Sequence, residues 1–264
     1  AEFRAVSFEK LFQGVKAIPW ERWIGKREAF PVKGRSLSSK LASVPDCQSI
    51  VKKAVVERLK AKYGQSWFEE PGSLHQIQFL ILKDRVSILL DTSGAGLHKR
   101  GYRANSTEAP IKETLAAAMV HLSRVRRDAN FIDPFCGSGT ILIEAALYAM
   151  HMAPGLQRRF AAERWERTNA SVWRQERQRA QDLIDRSVQF HARGYDIDGQ
   201  AVELAAENAR KAGVGSRIHT EKRDISLFRP EEEFGCVVCN PPYGERLLDL
   251  KAAEELYCTM GKVF

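Results

Sequence analysis

Eight residues, Asp133-Pro-Phe-Cys-Gly-Ser-Gly-Thr140, stand between a short apolar run, Asn130-Phe-Ile-Asp133, and an apolar stretch that continues to Met150. This order predicts a strand, a sharp glycine turn and a helix. Gly137 and Gly139 remove side chains where the backbone must turn tightly and approach a ligand, and the helix N-terminus presents unpaired N–H groups to a negative group. A nucleotide-like ligand suits such a turn, although a bare structural turn is the competing reading. The string is not the GxGxxG dinucleotide fingerprint, because the third glycine is missing. Nor is it a Walker loop, because no Gly-Lys-Ser/Thr follows. Asp133 at the strand end points instead to a ligand with a cationic portion, since a buried carboxylate needs a partner.

From Phe131 onward strands and helices alternate, which predicts an α/β chain with a parallel, doubly wound sheet of Rossmann-like type. A strand near Arg193–Asp196 precedes helix 199–212, and further strands are expected at 217–221 and 234–239. In such sheets a carboxylate at the end of the second strand accepts ribose hydroxyls, the role expected of Asp196. Asp198 more simply caps the following helix. Asp224, after the third strand, either contacts an adenine amino group or serves as a turn residue. Asn240-Pro-Pro-Tyr243 follows the apolar strand Gly235–Cys239. Its prolines, Pro241 and Pro242, stiffen the loop and leave the Asn240 side-chain oxygen and the Pro241 carbonyl as fixed acceptors. Tyr243 offers a flat face for a base. Those parts suit methylation of an exocyclic amine. Two acceptors on its N–H hydrogens raise the nucleophilicity of the nitrogen and aim it.

The first half differs in character. Residues 1–128 carry 23 Lys/Arg against 13 Asp/Glu, a balance of +10, and residues 129–264 carry 18 against 20, a balance of −2. An excess confined to one half points to a polyanionic partner, most often nucleic acid, although a solvated lysine-rich face would also produce it. The pattern predicts a small α+β unit. Its helix begins at Pro45-Asp46 and buries Ile50, Val51, Ala54, Val55 and Leu59, and its hairpin pairs 76–82 with 86–90 through Lys83-Asp84-Arg85. Lys33, Arg35 and Lys40 are its candidate phosphate contacts. The unit ends near Thr92–Gly96. Leu97-His-Lys-Arg-Gly-Tyr-Arg103 then reads equally as a phosphate-touching linker, through Lys99, Arg100 and Arg103, or as an exposed connector. A helix over 110–122 is expected to bury Leu115, Ala118, Met119 and Leu122. An insertion over 153–191 interleaves arginines with Trp165 and Trp173, and its acidic residues favour a salt-bridged surface helix over a base-stacking surface.

A length of 264 residues gives room for two self-supporting cores. With 44% hydrophobic and 28% charged residues, neither long disorder nor a fibrous repeat is expected. No apolar run approaches the roughly 18 residues of a membrane span, and a cytoplasmic chain without a membrane partner is the expectation. Cys47, Cys136, Cys236, Cys239 and Cys258 fit reduced thiols. Cys236 and Cys239 lie on an apolar strand with no second ligand pair nearby, so core thiols rather than a metal site are expected.

The two motifs, preceded by Leu97–Arg103 and by Ala109-Pro-Ile-Lys-Glu-Thr-Leu-Ala116, resemble those of the THUMP-domain RNA guanine-N2 methyltransferases. The bacterial 23S ribosomal RNA enzymes, the L-like group often labelled predicted N6-adenine-specific DNA methylases, are most similar. The resemblance implies a THUMP-like RNA-binding domain at 1–92, a basic linker at 93–109 and a Rossmann-like class I methyltransferase domain at 110–264. It implies S-adenosylmethionine as cofactor, with Asp133, Cys136, Gly137, Ser138, Gly139, Thr140, Asp196 and Asp224 around it and Lys112, Glu113 and Thr114 nearby. Asn240, Pro241, Pro242 and Tyr243 are placed at the target base. Structured RNA, ribosomal first and transfer RNA second, is the implied substrate. Adenine N6 of DNA or RNA, or a catalytically silent RNA-binding module, are the alternatives. Few residues follow Tyr243 and no Met opens the chain, so both domains are expected to be partial.

Overall fold

In the computed structural model, which describes residues 1–103, 110–229, 234–243 and 249–264, contacts divide the chain into two units. One comprises 1–96 with 159–174, the other 97–158 with 175–264. Residues 104–109 of the expected linker and the Gly244-Glu245-Arg246 continuation of the Asn-Pro-Pro-Tyr motif lie outside the described residues.

Period-two alternation builds the first unit. In β3 (Ile77–Leu82) the residues Ile77, Phe79 and Ile81 are buried while Gln78 and Leu82 are exposed, and in β4 (Arg85–Leu90) Val86 and Ile88 are buried. The sheet order is β1-β4-β3-β2, with β1 at Glu2–Arg4 and β2 at Val32–Leu37. β2 runs parallel to β3 and the other pairs are antiparallel. Lys83 and Asp84 both have left-handed φ, of 50° and 63°, as a two-residue hairpin turn with the right twist demands. Onto the apolar face pack α1 (Phe8–Lys16) and α2 (Val44–Tyr63), which bury Leu11 and Val15, and Val51, Ala54, Val55 and Leu59. Ser43 caps α2, and Gly64 ends it in the left-handed region at φ 69°. The polar run after Phe30 therefore continues as the edge strand β2 instead of leaving the sheet.

Residues 159–174 belong with this first unit although they fall within the methyltransferase-like part of the sequence. Trp165 is buried, stacks on His75 with centroids 4.3 Å apart and donates its indole N–H to the Leu74 carbonyl at 2.9 Å. His75 is itself fully buried, 3.5 Å from Glu28, and burial holds its imidazole below the usual histidine value. Trp173 stacks on Phe160. Both tryptophans of the insertion are therefore engaged within the protein, and a helix, α5 (Ala170–Asp182), follows as the charge pattern predicts.

In the second unit four parallel strands pair in the order β7-β6-β5-β8: β5 (Asn130–Asp133), β6 (His191–Asp196), β7 (Ile218–Lys222) and β8 (Cys236–Val237). The strand expected over 234–239 is thus only two residues long. One face is covered by α3 (Glu113–Leu122), α4 (Thr140–Ala149) and α6 (Gly199–Ala212), whose core joins Phe131, Leu142, Ile143, Phe190, Ala192 and Ala205. On the other, Ile132, Tyr195, Ile225 and Phe228 meet α7 (Leu250–Val263). Chain order reverses between β6 and β8 across β5, so a switch point lies at the carboxyl end of β5, where open α/β sheets bind ligands. The α3 expectation is corrected. Its buried face is Glu113, Ala116 and Val120, whereas Leu115 and Leu122 are exposed. An ion pair between Glu113 and Arg103 turns the helix so that the carboxylate points inward. No described helix is long and apolar enough to cross a membrane.

Trp165→Ala removes a buried ring and its hydrogen bond, and it should destabilise the first unit by about 3–5 kcal/mol. Hydrogen exchange checks this: amides at 74–77 should exchange faster while those at 141–147 keep their protection. Equal protection at 74–77 in variant and wild type would detach Trp165 from that unit.

Candidate active site

Asp133 ends β5 and is 1% exposed. Its Oδ1 accepts the Phe135 N–H at 3.1 Å. Burial pushes the carboxyl up from 3.8 to about 7; the Phe135 hydrogen bond opposes this and the Asp196 carboxylate adds to it. The chain then turns through Gly137 and Gly139, both left-handed with φ of 50° and 78°, a region that disfavours any other residue. A Cβ on Gly139 would also sit 3.0 Å from the Ala205 Cβ. Gly139 is the N-cap of α4 and supplies no side-chain cap, so the first-turn N–H groups face the turn without one. Ser138 and Thr140 are buried with their hydroxyls 3.3 Å apart.

The turn is held from β6. Asp196 accepts the Gly137 N–H at 2.9 Å through Oδ2 and the Asp198 N–H at 3.0 Å through Oδ1, and Cys136 N–H donates to the Tyr195 carbonyl at 2.9 Å. Burial raises the Cys136 thiol far above its usual value, so it is an inert neighbour, not a nucleophile. Asp198 caps α6 as expected, accepting from Gln200 N–H. Asp224 accepts the Ser226 N–H at 2.8 Å and hydroxyl at 2.6 Å, bonds that hold its carboxyl low; of its two readings, the turn residue is what the geometry displays. On the other side of β5, Val238 N–H donates to the Ile132 carbonyl at 3.0 Å. Asn240 thus follows β8 beside the end of β5. Cys239 feels the Asp133 charge, and mainly through burial its thiol rises to about 12. Asn240 is exposed, Pro241 and Pro242 are half-buried, and Tyr243 is 59% exposed. Asp133, Cys136, Gly137, Ser138, Gly139, Thr140 and Asp196 therefore form one cluster at the carboxyl edge, with the Asn240–Tyr243 loop next to it.

The remaining expected residues divide. Lys112 and Thr114 are exposed, while Glu113 is buried with one oxygen 3.5 Å from Arg103 Nε and the other without a hydrogen-bond partner among the described residues. Arg100 and Arg103 correct the linker expectation. Arg100 pairs with buried Glu144 at 3.3 Å, and Arg103 donates to the Ile111 carbonyl at 3.0 Å and to the Thr140 hydroxyl. An apolar helix that buries Glu144 needs a cation beside it, and burial still lifts that carboxyl above its usual value. Both arginines therefore turn inward, and of the three linker candidates Lys99 alone is exposed. Lys33 and Arg35 share the exposed face of β2, and Lys40 is exposed in the loop tied by its own N–H to Asp84 at 2.8 Å. These three lie in the first unit.

Two positions of the site, Asn208 and Gly194, escaped the sequence reading, and Arg103 was read there as a phosphate contact. Asn208 on α6 donates to the Ser138 carbonyl at 3.0 Å from a fully buried position. Gly194 leaves space for Leu142 and Cys136, since a Cβ there would lie 2.4 Å from Leu142 Cδ1. Arg103 steadies Thr140. An asparagine within an otherwise alanine-rich helix face was the available signal for the first. Among the described residues no group of three or more His, Cys, Asp or Glu side chains is placed to hold a metal ion. A cavity of about 720 Å³ over β6 and β7, lined by His191, Arg193 and Glu221, includes none of the expected site residues.

Comparison with known proteins decides the family. Residues 100–264 match UPF0020, described as an RMKL-like methyltransferase domain, and residues 5–91 match the THUMP domain. The chain belongs to the UPF0020 family. A relative in Bacillus subtilis (strain 168), named "Putative RNA methyltransferase YpsC", is 47% identical over 266 residues, covering 100% of this chain and 69% of its own. A Listeria monocytogenes structure described as a "predicted N6-adenine-specific DNA methylase" is 48% identical with a TM-score of 0.94, covering 100% of this chain and 70% of that one. The structure of "SMU.472, a putative methyltransferase complexed with SAH" is 42% identical with a TM-score of 0.92 over the same shares. The UPF0020 match spans the glycine turn, Asp196 and Asn240–Tyr243 together, and the THUMP match spans the basic sheet.

Between 3.8 and about 7 the folded UPF0020 chain holds a proton on Asp133 that the unfolded chain has released. Its unfolding free energy therefore falls as pH rises through that window. Asp133→Asn, neutral throughout, should flatten that part of the profile. Urea midpoints at pH 5 and pH 8 test it: wild type should lose more stability between them than the variant, and parallel profiles would contradict the buried-acid assignment.

Proposed function

We propose that this chain is the RNA-recognising and catalytic part of an S-adenosylmethionine-dependent methyltransferase that modifies the exocyclic N2 of a guanine in structured RNA, 23S ribosomal RNA first and transfer RNA second, in the cytoplasm. The observation that carries the reading is the Asn240-Pro-Pro-Tyr243 loop beside the end of β5, next to the Asp133 and Asp196 carboxylates. The methyltransferase and THUMP matches support the reaction class and the RNA, and so do YpsC's name and the SAH bound to SMU.472.

The residues present fit the cofactor. Among the described residues Asp133 receives one hydrogen bond, from Phe135, and its buried carboxylate would be stabilised in the ionised form by a cationic ligand group. Asp196 retains acceptor capacity beyond the two N–H groups it binds, which suits ribose hydroxyls. The α4 N-terminus lacks a side-chain cap. When bound, S-adenosylmethionine supplies a methyl group already activated on sulfonium.

The protein's task is then orientation. Asn240 Oδ1 and the Pro241 carbonyl accept the two amine hydrogens, which localises the nitrogen lone pair and directs it at the methyl carbon. As the N–C bond forms and the C–S bond breaks, the amine releases one proton to solvent. Tyr243 stacks on the target base. An amine inside a duplex is out of reach, so the base leaves its stack at a cost of a few kcal/mol, and aromatic stacking returns about 1–3 kcal/mol.

Asn240→Ala should lower kcat by about 10²–10³-fold with RNA affinity unchanged, and Tyr243→Phe should keep most activity while Tyr243→Ala loses it. Mass spectrometry of ribosomal and transfer RNA from a deletion strain tests the substrate. Loss of an N2-methylguanosine is expected. Unchanged RNA together with lost DNA N6-methyladenine would assign the second amine instead.

A further inference from the structure

We infer that the first unit carries a stacking site for unpaired RNA, built by two loops of the THUMP region together with the 159–174 excursion and centred on Trp67. The inference deepens the proposed function and rests on its reading of RNA as the substrate.

Trp67 is 77% exposed and Trp23 is 41% exposed. Both stand on loops that the structure joins. The Gln65 side chain donates to the Lys26 and Trp67 carbonyls at 3.2 Å each, and Gly72 N–H donates to the Arg27 carbonyl at 2.8 Å. Cations converge on the same place. Lys26 Nζ lies 5.9 Å from the Tyr63 ring centroid, and the Arg167 guanidinium lies 3.5 Å from the Tyr63 hydroxyl, which itself donates to the Ile24 carbonyl at 2.7 Å. Lys26, Arg27 and Arg167 are all exposed. Arg167 reaches this position because Trp165, two residues before it, is anchored on His75 and Leu74.

An exposed tryptophan by itself carries no meaning. Here its backbone is tied through Gln65 to the loop that carries Lys26, in the unit that holds the whole charge excess: residues 1–96 and 159–174 contain 20 Lys/Arg against 12 Asp/Glu, a balance of +8, and the other unit contains 21 of each. Glu69 and Glu166 are also exposed nearby, but the local balance stays positive. Flat aromatic faces between cations suit splayed bases with their phosphates alongside. A paired duplex presents no base face to Trp67. The site thus recognises a single-stranded segment or loop of the RNA, with sequence tolerance.

All five tryptophans of the chain lie in this unit, so tryptophan emission reports on it alone. With this 264-residue chain, a ten-nucleotide oligoadenylate should quench emission on binding. Trp67→Ala, a change at an exposed position, should abolish most of the quench and weaken binding about tenfold, within the 5- to 150-fold that one stacked base is worth. Lys26→Ala should reduce the salt dependence of binding. A ten-base-pair RNA duplex should bind wild type and Trp67→Ala equally. Unchanged oligoadenylate binding by Trp67→Ala would overturn the inference, and so would equal quenching by a ten-residue oligoglutamate peptide, which would mark a protein-docking surface. Methyl transfer to total RNA, measured in parallel, separates the two claims. Trp67-dependent binding without any methyl transfer would defeat the proposed function and leave the stacking site standing.

Discussion

The hydrogen bond from Gly137 N–H to the Asp196 carboxylate ties the turn after β5 to the end of β6, and the rest of the candidate site is arranged around it. A left-handed glycine turn has no side chains to hold its own shape. Its conformation is set from outside, by Asp196, by the Tyr195 carbonyl behind Cys136 and by Asn208 beneath Ser138. Such fixing leaves the α4 N-terminus and the Asp133 carboxylate in a constant relation. Preorganisation of that kind matters for a reaction in which the protein contributes mainly position and polarity.

Buried carboxylates govern the second layer. Asp133, Glu113 and Glu144 all lie within the second unit's interior, and each is handled differently. Glu144 is met by Arg100 and by the Tyr102 hydroxyl at 3.1 Å, and Glu113 by Arg103. Asp133 meets no cation among the described residues, and burial raises its carboxyl. Arg100 and Arg103 of the basic run 97–103 are therefore internal counter-ions, while Lys99 is exposed. The excess of cations over acids belongs to the first unit, with exposed cations on β2 and on the loops around Tyr63. In the proposed function, phosphate contacts fall to the first unit, while the methyl-transfer geometry and Tyr243 at the target base fall to the second.

Much of this was legible in the residues. Period-two alternation located β3 and β4, and the glycine turn and Asp198 located the β5–α4 and β6–α6 junctions, because those signals are local and their causes act within a few residues. What failed depended on contacts distant in sequence. The rotation of α3 is set by Arg103 pairing with Glu113, which no periodicity within the helix reveals. Arg100 looked like a surface cation because the buried Glu144 that it pairs with lies some forty residues on, and Arg103 because its partners, Glu113 and Thr140, lie on two later helices. Trp165 belongs with His75 across ninety residues, so its place in the first unit was invisible to a reading that moves along the chain.

In the proposed function the carboxyl edge of the parallel sheet, between Asp133, the glycine turn and Asp196, holds S-adenosylmethionine. Isothermal titration of the full-length protein with S-adenosylhomocysteine tests it most directly. Wild type should bind one equivalent, and Asp196→Ala should bind at least tenfold more weakly, since the substitution removes both the acceptor for the ribose and the anchor of Gly137. No binding by wild type, or undiminished binding by a folded Asp196→Ala variant, would contradict the account.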